Sequence, residues 1–190
     1  MIRISLNGEQ NRRFCSFMRK KNVNENFIKE CIALSLINLM KEKNFSDITV
    51  TDICKKAGFG RTTYYRYFTN RKEDIIENIC LIRWQKRIEN ESDLFKKDRN
   101  KLLLKHIYFH KEFFLLLQKQ NLLEALFYSI FKMFTDQNIQ NVGVKYFNAY
   151  DAGGIFGLIY QWIIDGFIYD NEEIEKVIVS TIINKHLNNN

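Results

Sequence analysis

The chain has 190 residues, of which 46% are hydrophobic, 27% charged and 14% aromatic, which excludes a disordered chain and allows a core that needs no disulfide staples. With no proline and only 8 glycines it lacks the turn punctuation of an all-β fold and any flexible linker, so a mostly helical protein is expected. The net charge of +7 is an N-terminal property: residues 1–80 hold 15 Lys and Arg against 9 Asp and Glu, residues 81–190 hold 14 against 13, so the first part suits a polyanion.

The apolar runs 31–40 and 153–164 are shorter than the ~20 residues of a membrane span and neither sits where a signal peptide would, so a soluble, cytoplasmic protein is expected. Cys15, Cys31, Cys54 and Cys80 have no CxxC spacing and read as small buried hydrophobes. Residues 1–23 form a polar, basic arm (Arg12, Arg13, Arg19, Lys20, Lys21), in which Met18 is an alternative start to Met1.

In residues 24–43, Ile28, Ile32, Leu36, Leu39 and Met40 recur at helical spacing, and Phe27, Cys31, Leu34 and Ile37 broaden the stripe, so this helix is buried on more than one side. Asn44 is expected to close it in a left-handed conformation. Thr49 and Asp52 then have the spacing of a capping box, with Val50, Ile53, Cys54 and Ala57 as the apolar face of a two-turn helix that Gly58 stops. A second short helix follows over 61–67, Thr69 and Asn70 break it and cap a helix over about 71–88, and a polar junction spans 90–100. Further helices are expected near 101–109, 111–118, 121–137, 144–166 and 171–187, and the tail 188–190 should fray.

Two short helices joined by a tight glycine turn, between long apolar helices, make a helix-turn-helix. In that arrangement the amides and the Thr49 and Thr51 hydroxyls of the first helix meet a phosphate, and the second helix enters the major groove. Arg61 is the natural base reader, since its fork matches guanine O6 and N7; Thr62 and Thr63 suit a thymine methyl or a phosphate, and Tyr65 and Tyr67 offer hydroxyls to the backbone. Arg66, Arg71 and Lys72 add charge nearby.

Over residues 28–80 the sequence resembles the TetR family of bacterial one-component regulators. The resemblance rests on Phe45-Ser46-Asp47-Ile48-Thr49-Val50, Asp52-Ile53-Cys54-Lys55-Lys56-Ala57-Gly58-Phe59, Arg61-Thr62-Thr63-Tyr64-Tyr65-Arg66-Tyr67-Phe68 and Lys72-Glu73-Asp74-Ile75. It implies DNA contacts from Thr49, Arg61, Thr63, Tyr65, Tyr67 and a cation opening the next helix. The chain departs from the pattern at Asn44, where glycine is usual, at Gly60, where serine commonly caps, and by one additional residue between Phe68 and Lys72, which leaves open whether Arg71 or Lys72 meets the phosphate. The segment 150–167 resembles a subgroup of low-GC Gram-positive bacteria that includes regulators of dihydroxyacetone utilisation.

Within that segment Gly153, Gly157, Tyr160 and Ile164 share one helical face, and helix-interior glycine costs ~1 kcal/mol relative to alanine, so close approach of a second copy is one reading and a kinked core helix the other. His106 and His110 stand at i, i+4, yet no third metal ligand is evident, so they read as ordinary surface or core histidines and no metal or other cofactor is assigned. Tyr108, Phe113, Phe127, Phe131 and Trp162 are candidate walls of an effector cavity, although pocket walls and plain core use the same residue types. With only 9 carboxylates after residue 100, dispersed along the chain, and few placeable donors, the effector is expected to be small and apolar.

No GxSxG, phosphate-cradling glycine loop or HExxH is present, so an enzyme is not expected. The expectation is an all-α protein in which residues 24–70 form a three-helix helix-turn-helix domain and residues 71–187 a bundle for dimerisation and ligand sensing. Its partners would be double-stranded DNA with a palindromic operator, a second copy of itself and an apolar effector, with no membrane. Repression is the default mechanism. The alternative is a helix-turn-helix protein that acts through a protein partner without a small-molecule effector.

Overall fold

Ten α-helices and one 3-10 turn occupy the described residues, with no strand among them. In the computed structural model these are residues 24–69, 71–135 and 139–187; the basic arm, Cys15, Asn70, the start at Met1 or Met18 and the tail 188–190 lie outside them. The helices are α1 (Glu25–Met40), α2 (Val50–Ala57), α3 (Arg61–Tyr67), α4 (Glu73–Asn90), α5 (Ser92–Lys97), α6 (Arg99–Phe109), α7 (Lys111–Lys119), α8 (Leu123–Phe134), α9 (Val142–Ile164) and α10 (Asn171–Leu187), and the 3-10 turn (Phe45–Asp47) lies between α1 and α2. The all-α expectation holds, and no helix among the described residues is long and apolar enough to cross a membrane.

Contacts divide the chain into two compact units that meet at Ile82 and Arg83, inside α4. The sequence reading put the division between residues 70 and 71, just ahead of α4. The first unit is closed by Ile32, Leu36, Ile53, Tyr64, Ile75 and Ile76, all fully buried, and Cys31, Cys54 and Cys80 are buried as small hydrophobes. In the second unit α8 packs on α9, and Leu102, Leu103, Leu117, Ile130 and Ile159 form the core. Two ties cross this bundle: Arg99 bonds Asp151 at 2.7 Å and lies 3.8 Å over the Phe134 ring, and Lys101 meets Glu175 at 2.8 Å.

Two local expectations are corrected. Asn44 is extended (φ −64, ψ 145), not left-handed. Leu39 O already accepts from Glu42 N and Lys43 N at 2.9 and 3.0 Å, so α1 is closed before Asn44, which instead leads into the 3-10 turn that buries Phe45. The junction 90–100 contains α5, whose Asp93 in the first turn and Lys96 and Lys97 in the last suit the helix dipole, and whose Phe95 ring lies 6.2 Å from Trp84. Left-handed backbone occurs at Gly58 (φ 71), Asn121 (φ 57), Gly166 (φ 70) and Phe167 (φ 58).

Candidate nucleic-acid interface

The start of α2 is fixed by reciprocal bonds. Asp52 N donates to Thr49 Oγ1 at 3.1 Å, and Thr49 N donates to Asp52 Oδ2 at 3.0 Å. Lys43 Nζ also donates to Asp52 Oδ2, at 2.8 Å. Lys43 and the Thr49 bonds together hold the Asp52 carboxyl well below the usual carboxylate range. Within the first turn the capping box serves the amides of Thr49 and Asp52, while those of Val50 and Thr51 have no acceptor among the described residues. Thr49 and Thr51 are exposed beside them, so a positive helix end with two available donors faces outward.

Gly58 supplies the left-handed turn after α2, with Phe59 N donating to Cys54 O at 3.1 Å. Gly60 then caps α3 without a side-chain acceptor, and a Cβ built on it would meet nothing within 4 Å. Helix α3 is held by Tyr64, which is fully buried, packs 5.6 Å from Phe68 and presents Tyr65 edge-on at 5.2 Å. Burial pushes the Tyr64 hydroxyl up to about 12, and its oxygen has no hydrogen-bond partner among the described residues.

With Tyr64 turned inward, Arg61, Thr62, Tyr65 and Arg66 are exposed on the opposite face and line one shallow hollow. Positions 61, 62, 65 and 66 fall one helical turn apart in pairs, so a single groove can meet all four. Thr63 and Tyr67 are half-buried, and Lys29 Nζ lies 5.8 Å from the centre of the Tyr67 ring.

Arg71 and Lys72 differ sharply. Arg71 is exposed, with Asp74 and Glu77 at 3.7 and 3.8 Å, too long for firm pairing. Lys72 turns inward: its Nζ donates to Phe45 O and Ile48 O, both at 2.7 Å, and sits 4.4 Å over the Phe45 ring. Burial lowers its pKa from the ordinary lysine value. This tie spans 24 and 27 residues, a separation that local spacing cannot announce.

In the second unit the five effector candidates fall into three aromatic groups. Tyr108 stacks on Trp162 at 5.7 Å with planes 6° apart, and the indole Nε1 donates to Tyr169 O at 3.0 Å. Phe167 joins this pair, 4.9 Å from Trp162, which accounts for a bulky residue at φ 58: the buried ring offsets the backbone cost. Phe127 and Phe131 lie 5.7 Å apart beside Phe156, while Phe113 pairs with Phe114 and lies under the Arg83 guanidinium.

On α9, Gly153, Gly157, Tyr160 and Ile164 are all exposed. A Cβ built on Gly153, Gly154 or Gly157 would meet nothing within 4 Å, so this chain's own packing does not require glycine there. Nearer the start of the same helix Tyr146, Phe147 and Tyr150 are 72, 65 and 79% exposed, unusually bare for aromatic side chains.

The sequence profile described as bacterial regulatory proteins, tetR family, matches residues 36–79, from within α1 into α4. Over an alignment of 149 residues the chain is 27% identical to the protein of Lactococcus lactis subsp. lactis (strain IL1403) named HTH-type dhaKLM operon transcriptional activator DhaS. That alignment covers 71% of this chain and 79% of the relative.

Proposed function

We infer that this chain, a DNA-binding transcriptional regulator of the TetR family, binds a palindromic operator as a cytoplasmic homodimer and alters transcription when a small effector binds its C-terminal unit. The observation that carries the reading is the outward face of α3, where Arg61, Thr62, Tyr65 and Arg66 surround one hollow while Tyr64 anchors the helix from behind. Arg61 reads a guanine edge, Thr62 and Thr63 reach a methyl or phosphate, and Tyr65 and Tyr67 bond the backbone. Gly60 lets α3 approach the groove closely, and Thr49, Thr51 and the open amides of α2 hold a second phosphate with help from Arg71. Lys72 supports this face from within, through its bonds to Phe45 and Ile48 around the 3-10 turn.

A single recognition helix reads one half-site, and two reach successive grooves only when held about 34 Å apart. The exposed Gly153, Gly157, Tyr160 and Ile164 face supports a twofold pairing through α9 with α10, because the glycines leave room for a facing helix that this chain alone does not fill. The effector's apolar part would meet the aromatic groups around Tyr108, Trp162, Phe127, Phe131 and Phe113. Occlusion of a promoter makes the protein a repressor.

A second reading has the protein activate transcription, acting through a protein partner without a small molecule. It is favoured by the name of the L. lactis relative and by the bare Tyr146, Phe147 and Tyr150 on α9. Selection of bound duplexes from a random pool, followed by a reporter carrying the selected operator, tests both. A palindrome with reporter output that falls when the protein is present supports repression; output that rises supports activation; a pool that never converges overturns operator binding itself.

A further inference from the structure

We propose that the effector is an organic anion whose oxyanion group seats on Arg83, Arg87, His106 and His110, between the last turns of α4 and the end of α6. The inference deepens the ligand-responsive reading and rests on it for the effect on DNA.

Arg83 and Arg87 are one turn apart on α4, and His106 and His110 one turn apart at the end of α6. The imidazole rings lie 4.8 Å from each other, and the Trp84 ring lies 5.5 Å from His106. The Arg83 guanidinium stands 4.9 Å over the Phe113 ring and that of Arg87 5.9 Å from the Phe109 ring. Four basic groups thus converge within aromatic surroundings, and His106 and Trp84 are almost wholly buried.

Arg87 keeps one donor open here. Glu91 accepts from Arg87 Nη2 at 2.9 Å, yet Arg87 Nε is buried with no partner among the described residues, and the His110 side chain makes no bond at the helix start that it caps. A buried donor without an acceptor is costly enough that native proteins seldom retain one unless something outside the chain completes it. The charges acting on both imidazoles are positive ones, from the Arg83 and Arg87 guanidinium ions. Burial first and then these cations keep both rings neutral, His106 well below the ordinary imidazole range and His110 lowered to about 4.

An oxyanion answers each of these features. Its lone pairs accept from Arg87 Nε and the imidazole N–H groups, and its charge suits a site that two guanidinium ions border. The planar forks suit a carboxylate or a phosphate equally, which is the shared chemistry of the class. The exposed Phe109 ring gives an apolar body a surface to lie on. The expectation of a small, apolar effector took no account of Arg83 and Arg87.

The test uses the full chain with benzoate, phenyl phosphate and the neutral benzyl alcohol, each at an ionic strength matched with sodium chloride. Calorimetry gives the affinity, long-range proton–nitrogen spectra follow the imidazoles, and operator affinity is measured in parallel. We expect benzoate or phenyl phosphate to bind and move the His106 and His110 signals, with benzyl alcohol inert; which anion binds separates carboxylate from phosphate. Arg87→Met should weaken binding at least tenfold. Arg87→Lys, which keeps the charge and loses the fork, should weaken it severalfold and remains informative if Arg87→Met does not fold. Unmoved imidazole signals with both anions, equal effects of chloride, or undiminished binding by both Arg87 variants would overturn the proposal. Anion binding that leaves operator affinity unchanged would confirm the site and overturn the ligand-responsive reading.

Discussion

Replacing Lys72 by methionine keeps the aliphatic stem and removes the ammonium that Phe45 O and Ile48 O share at 2.7 Å each. A hydrogen bond to a charged group contributes ~1.5–3 kcal/mol, and the position over the Phe45 ring adds ~0.5–1 kcal/mol. Holding an ammonium half-buried offsets part of this, which leaves a net loss of about 2–3 kcal/mol. For a chain of 190 residues each kcal/mol moves Tm by ~2–4 °C, so the variant should melt about 4–12 °C lower. Thermal unfolding followed by circular dichroism reads the first quantity, and operator affinity against salt concentration reads a second. A lysine that only neutralised a phosphate would leave Tm alone and lower the salt slope by ~0.9. The reasoning expects the opposite: a lower Tm, weaker operator binding through a loosened approach to α2, and little change in slope. An unchanged Tm with a slope reduced by about one would refute it.

Arg61→Ala should cost operator binding ~1–3 kcal/mol and relax base preference at one position, seen as a flattened selection profile; equal selectivity would remove Arg61 from base readout. Tyr64→Phe deletes a buried hydroxyl that has no partner, so the melt should stay within ~1 kcal/mol of the parent or rise, and a larger drop would mean that the hydroxyl is paired. Gly157→Leu should shift the protein toward monomer in analytical ultracentrifugation and abolish operator binding with helical content intact, since space at Gly157 is open within one chain. Because the folded protein keeps His110 neutral down to pH of about 4 while an unfolded imidazole takes up its proton near 6.5, stability should be complete above pH 6.5 and decline toward pH 4. His110→Gln should make that decline shallower in melts taken across the same range, with the part due to the buried His106 remaining.

The first unit was legible where its chemistry is local. Thr49 and Asp52 announce their own capping box three residues apart, Gly58 announces its positive φ, and the apolar spacing of α1 and α4 announces a core. What escaped depends on contacts remote in sequence. Asn44 looked like a helix stop because Asn tolerates left-handed backbone, and only the carbonyl of Leu39, already doubly occupied, shows that the stop comes earlier. Lys72 looked like a surface cation because nothing within a few residues reveals the two carbonyls it serves. Arg83 with Arg87 and His106 with His110 are each visible as pairs one turn apart, but spacing on one helix does not say which other helix it meets. Phe167 at φ 58 runs against local preference altogether, and the buried ring alone explains it.

Among the seven residues of α3 a single side chain, Tyr64, is fully enclosed, and Gly60 in front of it has empty space around it. Mutational drift at Arg61, Thr62, Tyr65 and Arg66 therefore meets almost no penalty from the fold, so natural variants and laboratory libraries can explore many combinations there while the scaffold stays constant. Descendants of one ancestral gene could acquire separate target sequences without passing through an unfolded intermediate, and a designer who randomises those four positions and leaves Tyr64 alone starts from a pool in which most members still fold.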